Sequence, residues 1–235
     1  MSGASSSSIA DLLSNTASVS PDAIWLTTPE TEQAFSWQDS LDRATEIACY
    51  LQGAGLSDGA SVAVASANGA AASFAFLGTV FGGYRATPLN LVAGFKTLGF
   101  VLSHSKTEII LCADDCRSMV DDALAAMPDA PKTMPQIVSM DIDQGPRWDE
   151  TGITPINKAD LRRPNAESIG LLMYTSGTTG VPKGVLLSHA NLIAAGSNVC
   201  VAHKLEKTDI GMCVLPIYHI NGLCVTVMGA LVSAS

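Results

Sequence analysis

The sequence predicts an α/β fold in which helices pack on a largely parallel sheet, and three observations carry that prediction. Short apolar runs of strand length alternate with segments whose apolar residues recur at helical spacing, the rhythm of strands joined by crossover helices. From Gly59 to Tyr84 there is no charged residue, which reads as a strand, a turn and a buried helix. A loop rich in glycine and hydroxyls lies between two further apolar runs, Leu171 to Met173 and Val185 to Leu187, each short enough for a buried strand.

In chain order, Ile9 to Leu13 begins a short helix, and Ala23 to Leu26 with Phe35 form a small hairpin around Pro29-Glu30. Ser36, with Asp39 three residues on, caps a helix that carries Trp37, Leu41, Ala44, Ala48 and Leu51 on one face and stops at Gly53 and Gly55. Ser61 to Ala65 is the next strand, followed by an alanine-rich buried helix from Ala70 to Phe81. Asn68, Gly69 and the Ser/Ala/Gly content argue against reading this uncharged stretch as a membrane span. Phe95, Leu98 and Leu102 mark a helix, Glu108 to Cys112 a strand, Val120 to Met127 a helix, and Ile137 to Met140 a strand. From Asp141 to Asn165 periodicity fades among Gly and Pro, as in a surface excursion within one domain. Ser188 caps a helix reaching about Val201, Met212 to Leu215 reads as a strand, and Leu223 to Val232 as an apolar helix. That helix runs to Ser235 without a capping residue, so the chain is expected to be cut there.

Composition narrows the class. The chain is 47% hydrophobic and 15% charged over 235 residues, enough for one domain with a full core or two small ones. Its net charge is -9, with nine acids between Asp114 and Glu150 against Arg117, Lys132 and Arg147; this argues against nucleic acid or an anionic membrane as partner. Six scattered cysteines lack zinc-site spacing and fit small buried hydrophobes in a reducing cytoplasm, so no metal site is expected. Met1 to Ser8 lacks the basic start of a signal peptide and reads as a flexible tail.

The loop is where chemistry concentrates. It reads Tyr-Thr-Ser-Gly-Thr-Thr-Gly-Val-Pro-Lys-Gly-Val from Tyr174 to Val185. Gly177, Gly180 and Gly184 let the backbone approach a ligand and turn amides inward; Ser176, Thr178 and Thr179 add hydroxyls; Lys183 supplies a cation. The pattern suits phosphate. It is not a Walker A loop, because Lys183 is followed by Gly184, and no helix starts at the loop to lend its dipole. No Gly-x-Ser-x-Gly elbow surrounds Ser176, and His104, His189 and His203 are isolated in sequence, with a structural or exposed role as the default.

That run resembles the phosphate-loop signature of the acyl-adenylate-forming (AMP-binding) superfamily, most like an acyl-CoA synthetase or acid–CoA ligase. Leu215 to Gly222 is similar to the family's Pro-x-aromatic-His segment, and Val62 to Asn90, ending in Thr-Pro-Leu-Asn, to its early strand-helix-strand. The resemblance implies that residues 1–235 are the front part of the large N-terminal adenylation domain, with the rest of that domain and a C-terminal lid domain absent. It implies ATP, Mg2+ and CoA as cofactors and a small-molecule carboxylic acid as substrate, activated to an acyl-adenylate and passed to CoA. Thr175, Ser176, Gly177, Thr178, Thr179, Gly180 and Lys183 would bind the nucleotide's phosphates; Tyr218, His219, Asn221 and Gly222 would line the acyl side; Lys183 and His219 would act in catalysis. The family's Tyr-Gly-x-Thr-Glu and Thr-Gly-Asp segments and terminal lysine are not found in this sequence. A non-catalytic half that binds a partner chain, or an adenylation domain serving another thiol, are the alternatives.

Overall fold

The computed structural model describes residues 7–128, 131–175 and 181–235. The chain opens with α1 (Ile9–Val19) and the antiparallel hairpin of β1 (Ile24–Thr28) and β2 (Gln33–Ser36). It then alternates α2 (Trp37–Gly53), β3 (Ser61–Ala65), α3 (Ala70–Phe81), β4 (Arg85–Pro88), α4 (Phe95–Ser105), β5 (Thr107–Ala113), α5 (Arg117–Ala125) and β6 (Gln136–Asp141). After the two-residue β7 (Gly145–Pro146) come β8 (Ile169–Thr175), β9 (Lys183–Ser188), α6 (His189–His203), a π-helical segment Asn221–Met228, and α7 (Gly229–Ser233).

Seven strands form one sheet in the order β7-β6-β5-β3-β4-β8-β9. The five inner strands are parallel, and the edge strands β7 and β9 are antiparallel to their neighbours. β3 is buried at all five positions because helices cover both faces of the sheet beside it, which is why its sequence is continuously apolar or small. Every residue of α3 is buried as well, and a Cβ on Gly78 would come 2.5 Å from Cβ of Ile47, so α3 and α2 approach at the glycine. Among the described residues no helix is long and apolar enough to cross a membrane.

The serine caps form as their sequences require. Ser36 Oγ accepts from the Asp39 amide at 3.1 Å while the Asp39 carboxylate accepts from the Ser36 amide at 2.8 Å, and Ser188 with Asn191 repeats the arrangement. Both serines therefore satisfy amides that the first helical turn leaves unpaired.

Four expectations need correction. Met212 to Leu215 is not a strand: no neighbouring strand takes its hydrogen bonds, and Asn68 Nδ2 donates to the carbonyls of Cys213 and Leu215 instead. The run after the loop is not buried, since β9 is an edge strand paired only to β8, leaving Val185 and Leu186 exposed. The stretch after Asp141 is more than a surface excursion, because Trp148 is buried and stacks on Tyr50 with ring centroids 4.7 Å apart. One aromatic in a polar run leaves no periodicity to detect. The last apolar helix begins as π-helix at Asn221 and becomes α-helical only at Gly229.

Candidate functional site

β8 and β9 form the hairpin that brackets the loop. Thr175 is opposite Lys183 and Tyr174 is opposite Gly184, so the loop enters and leaves at adjacent points on the sheet's edge. Ser176, Gly177, Thr178, Thr179 and Gly180 lie outside the described residues. Lys183 is exposed, and among the described residues no carboxylate pairs with it. Its charge is thus open to an incoming anion.

Beside the hairpin is a cavity of about 340 Å³. Pro88 at the end of β4 and Tyr174 and Thr175 at the end of β8 line it, which puts it at the carboxyl ends of parallel strands, where open α/β sheets bind ligands. Ala93, Leu98 and Val101 supply apolar wall, while Asn90, Thr97 and His219 add polar groups. Pro182 and Tyr218 complete the lining among the described residues. Two segments separated in sequence, the foot of the loop and the Tyr218-His219 turn, thus face one space.

The turn is held from the end of the central strand. Asn68, between β3 and α3, accepts from the Ile217 amide at 2.9 Å and donates to the Leu215 carbonyl at 2.9 Å and the Cys213 carbonyl at 3.3 Å. Both ends of its amide are used, so the segment entering the cavity is fixed by one side chain. His219 is exposed and Tyr218 half-buried, with their rings 4.9 Å apart. Asn221 is exposed and outside the cavity lining. Gly222 is buried beneath the turn, where a Cβ would come 2.4 Å from the Pro216 carbonyl oxygen, so its smallness closes the turn.

Three features escaped the sequence. Asn68 was legible only as a polar break in an uncharged run and as part of the Val62 to Asn90 resemblance, with no sign of its reach across the fold. His104 is not isolated, for its Nδ1 lies 2.8 Å from the Tyr174 hydroxyl. His189 is fully buried, its Nδ1 accepts from the Ile9 amide at 3.0 Å, and burial lowers its pKa to about 4. The cysteines at 112, 116 and 224 are buried, which raises their thiols to about 12, 11 and 11, away from the thiolate range that nucleophiles and metal ligands need.

A parallel sheet whose strand ends meet a hairpin loop across a shared cavity has the layout of an α/β ligand-binding domain. The chain belongs to the AMP-binding enzyme family, which matches residues 13–235. It is 34% identical over 225 residues to a sulfoacetate–CoA ligase of Cupriavidus necator, covering 95% of this chain and 43% of that protein. With a long-chain-fatty-acid–CoA ligase of Mycobacterium tuberculosis it shares 25% identity over 224 residues, 94% of this chain and 42% of that one. Among solved structures, the inhibitor-bound N-terminal domain of FACL13 from Mycobacterium tuberculosis superposes with a TM-score of 0.77 at 24% identity, covering 97% of this chain and 55% of that chain. The luciferase-like enzyme of the mealworm Zophobas morio gives 0.80 at 16% identity, covering all of this chain and 54% of that one. These structural likenesses concern the fold. The chain spans less than half the length of the curated relatives it matches.

Proposed function

We propose that these residues form the front part of the adenylating domain of an acid–CoA ligase, in which a carboxylate attacks the α-phosphorus of ATP, pyrophosphate leaves, and CoA then takes the acyl group from the adenylate. The observation that carries this reading is the cavity that the foot of the loop shares with Tyr218 and His219. It gives an acid a place next to the point where a loop-bound nucleotide would present its α-phosphate, and positioning of this kind supplies much of the barrier reduction in such transfers.

In this reading Lys183 and the hydroxyls of Ser176, Thr178 and Thr179 neutralise charge on the departing pyrophosphate. His219 faces the acid or the incoming thiol. The polar lining from Asn90, Thr97 and His219 supports a short or polar acid, and the likeness to a sulfoacetate–CoA ligase points the same way. Among the described residues no three His, Cys, Asp or Glu side chains gather to hold a metal, so the implied magnesium has no ligand set within them. The adenosine contacts and the lid would come from further parts of the protein.

The test is acid-dependent exchange of pyrophosphate into ATP, measured in a protein that carries these residues together with the rest of the family's domain. Lys183→Ala is expected to slow exchange about a hundredfold, the effect of losing one preorganised donor worth roughly 3 kcal/mol. An unchanged rate would remove Lys183 from the reaction, and exchange indifferent to any acid would remove the reading. CoA-dependent AMP release separates CoA from another thiol acceptor. Residues 1–235 alone are expected to give no exchange, because the α-phosphorus would not be positioned.

A second reading, a folded half that docks a partner chain, draws on Ile210, Met212 and Val214, which are 95%, 81% and 73% exposed in one short run. Exchange in the protein that carries the rest of the family's domain distinguishes it: a stable complex by light scattering with no acid-dependent exchange favours docking, and acid-dependent exchange rules it out.

A further inference from the structure

His104 and Tyr174 come from different elements and meet at the cavity's margin. Nδ1 of His104 lies 2.8 Å from the Tyr174 hydroxyl, and the two rings meet edge to face with centroids 5.7 Å apart. On its other side the imidazole stacks on Phe100, one turn earlier in α4, at 5.4 Å. Across the hairpin, Tyr174 is opposite Gly184, where a Cβ would come 3.4 Å from ring carbon Cε1, so the ring packs close against the glycine. Burial raises the phenol to about 12, so the hydroxyl keeps its proton and can donate to an unprotonated Nδ1.

Tyr174 lines the cavity and His104 does not. A tyrosine held only at its Cα can change rotamer and yield space; one also held at its hydroxyl must give up that hydrogen bond to do so. Resting on the acid-site reading above, we propose that His104 is a positioning residue that fixes Tyr174 as a wall of the cavity and so sets the length of acid the site accepts. The imidazole never touches the ligand. Its influence passes through the tyrosine and adds to the wall that Thr97, Leu98 and Val101 of the same helix supply directly.

The experiment uses a protein that carries these residues together with the rest of the family's domain, with tyrosine labelled with carbon-13 at Cζ, titrated by NMR with acetate and with hexanoate. His104→Ala should move the Tyr174 resonance and raise the ratio of hexanoate to acetate affinity at least threefold. Tyr174→Phe, which removes only the hydroxyl, should raise the ratio by a similar factor and guards against a folding defect in the histidine variant. The double variant should add nothing further, and His104→Asn, whose amide stands where Nδ1 was, should restore the wild-type ratio. A Tyr174 resonance unmoved by His104→Ala would overturn the pair. An unchanged ratio with both acids still bound would overturn the selectivity role while sparing the acid site. If the wild-type chain binds neither acid, the acid-site reading falls, and the proposal with it.

Discussion

Ser61 to Ala65 and Met212 to Leu215 are both short apolar runs that read as strands, yet one forms the centre of the sheet and the other lies unpaired on the surface. The first has β4 on one side and β5 on the other, so its amides and carbonyls are satisfied by ladders. The second has two carbonyls bonded to the side chain of Asn68, and its neighbour Ile210 is 95% exposed. Apolar composition gives a segment a reason to be buried; only a neighbouring strand to pair with makes it a strand. The contrast also separates the jobs of the two regions, since the sheet centre holds the fold and the unpaired run leads into the cavity.

The largest effect that can break this comparison is in the core. Phe74→Ala in α3, where the ring is fully buried against Phe35, is expected to destabilise the chain by about 4 kcal/mol, whereas Met212→Ala should change stability by under about 0.5 kcal/mol. Urea unfolding of the two variants checks it. Equal losses would mean that the surface run is packed in solution.

Next in size is a pH effect at His189. Burial, opposed by the nearby Asp11 charge, lowers its folded pKa to about 4 from 6.5. The fold thus favours the neutral ring: stability is full above about pH 6.5 and is lost as pH falls towards 4, by about 3 kcal/mol from this one group. Unfolding free energy measured from pH 7 to pH 4 should show this decline, with His189→Gln flattening it. A decline that survives the substitution would assign the acid sensitivity elsewhere.

A smaller, local effect is expected at the clamp. Asn68→Ala removes the hydrogen bonds that tie Cys213, Leu215 and Ile217 to the end of β3, a segment that can open without the sheet, so the loss should appear mainly as local opening and move the global midpoint less than the two changes above. Amide exchange at Ile217, whose N–H donates to Asn68, should instead rise at least tenfold. Unchanged protection there would show that the Tyr218-His219 turn is held by something other than Asn68.

Much of the fold was legible because its signals are local. β3 and α3 form where the uncharged run reads as a strand from Ser61 to Ala65 and a helix from about Ala70 to Phe81, and Ser36 and Ser188 cap their helices through side chains three positions apart. What escaped depends on contacts between residues far apart in the chain: Trp148 on Tyr50, Asn68 on Ile217, His104 on Tyr174. Each joins segments that no period links. The candidate site shows the same division, since Thr175 and Lys183 follow from the motif and pair across the hairpin, while the cavity that joins Thr175 to His219 exists only once β4, β8 and α4 converge.

The central claim is that the hairpin loop holds pyrophosphate beside an acid cavity, and Lys183 tests it most directly because it is exposed and its loss should spare the fold. Titrate the 235-residue chain with inorganic pyrophosphate by calorimetry, wild type against Lys183→Ala, with unfolding curves recorded on both. The account predicts binding that the substitution weakens about tenfold, as expected for one charge-assisted bond, with stability altered by less than about 0.5 kcal/mol. Absence of binding, or an affinity that Lys183→Ala leaves unchanged, would contradict it.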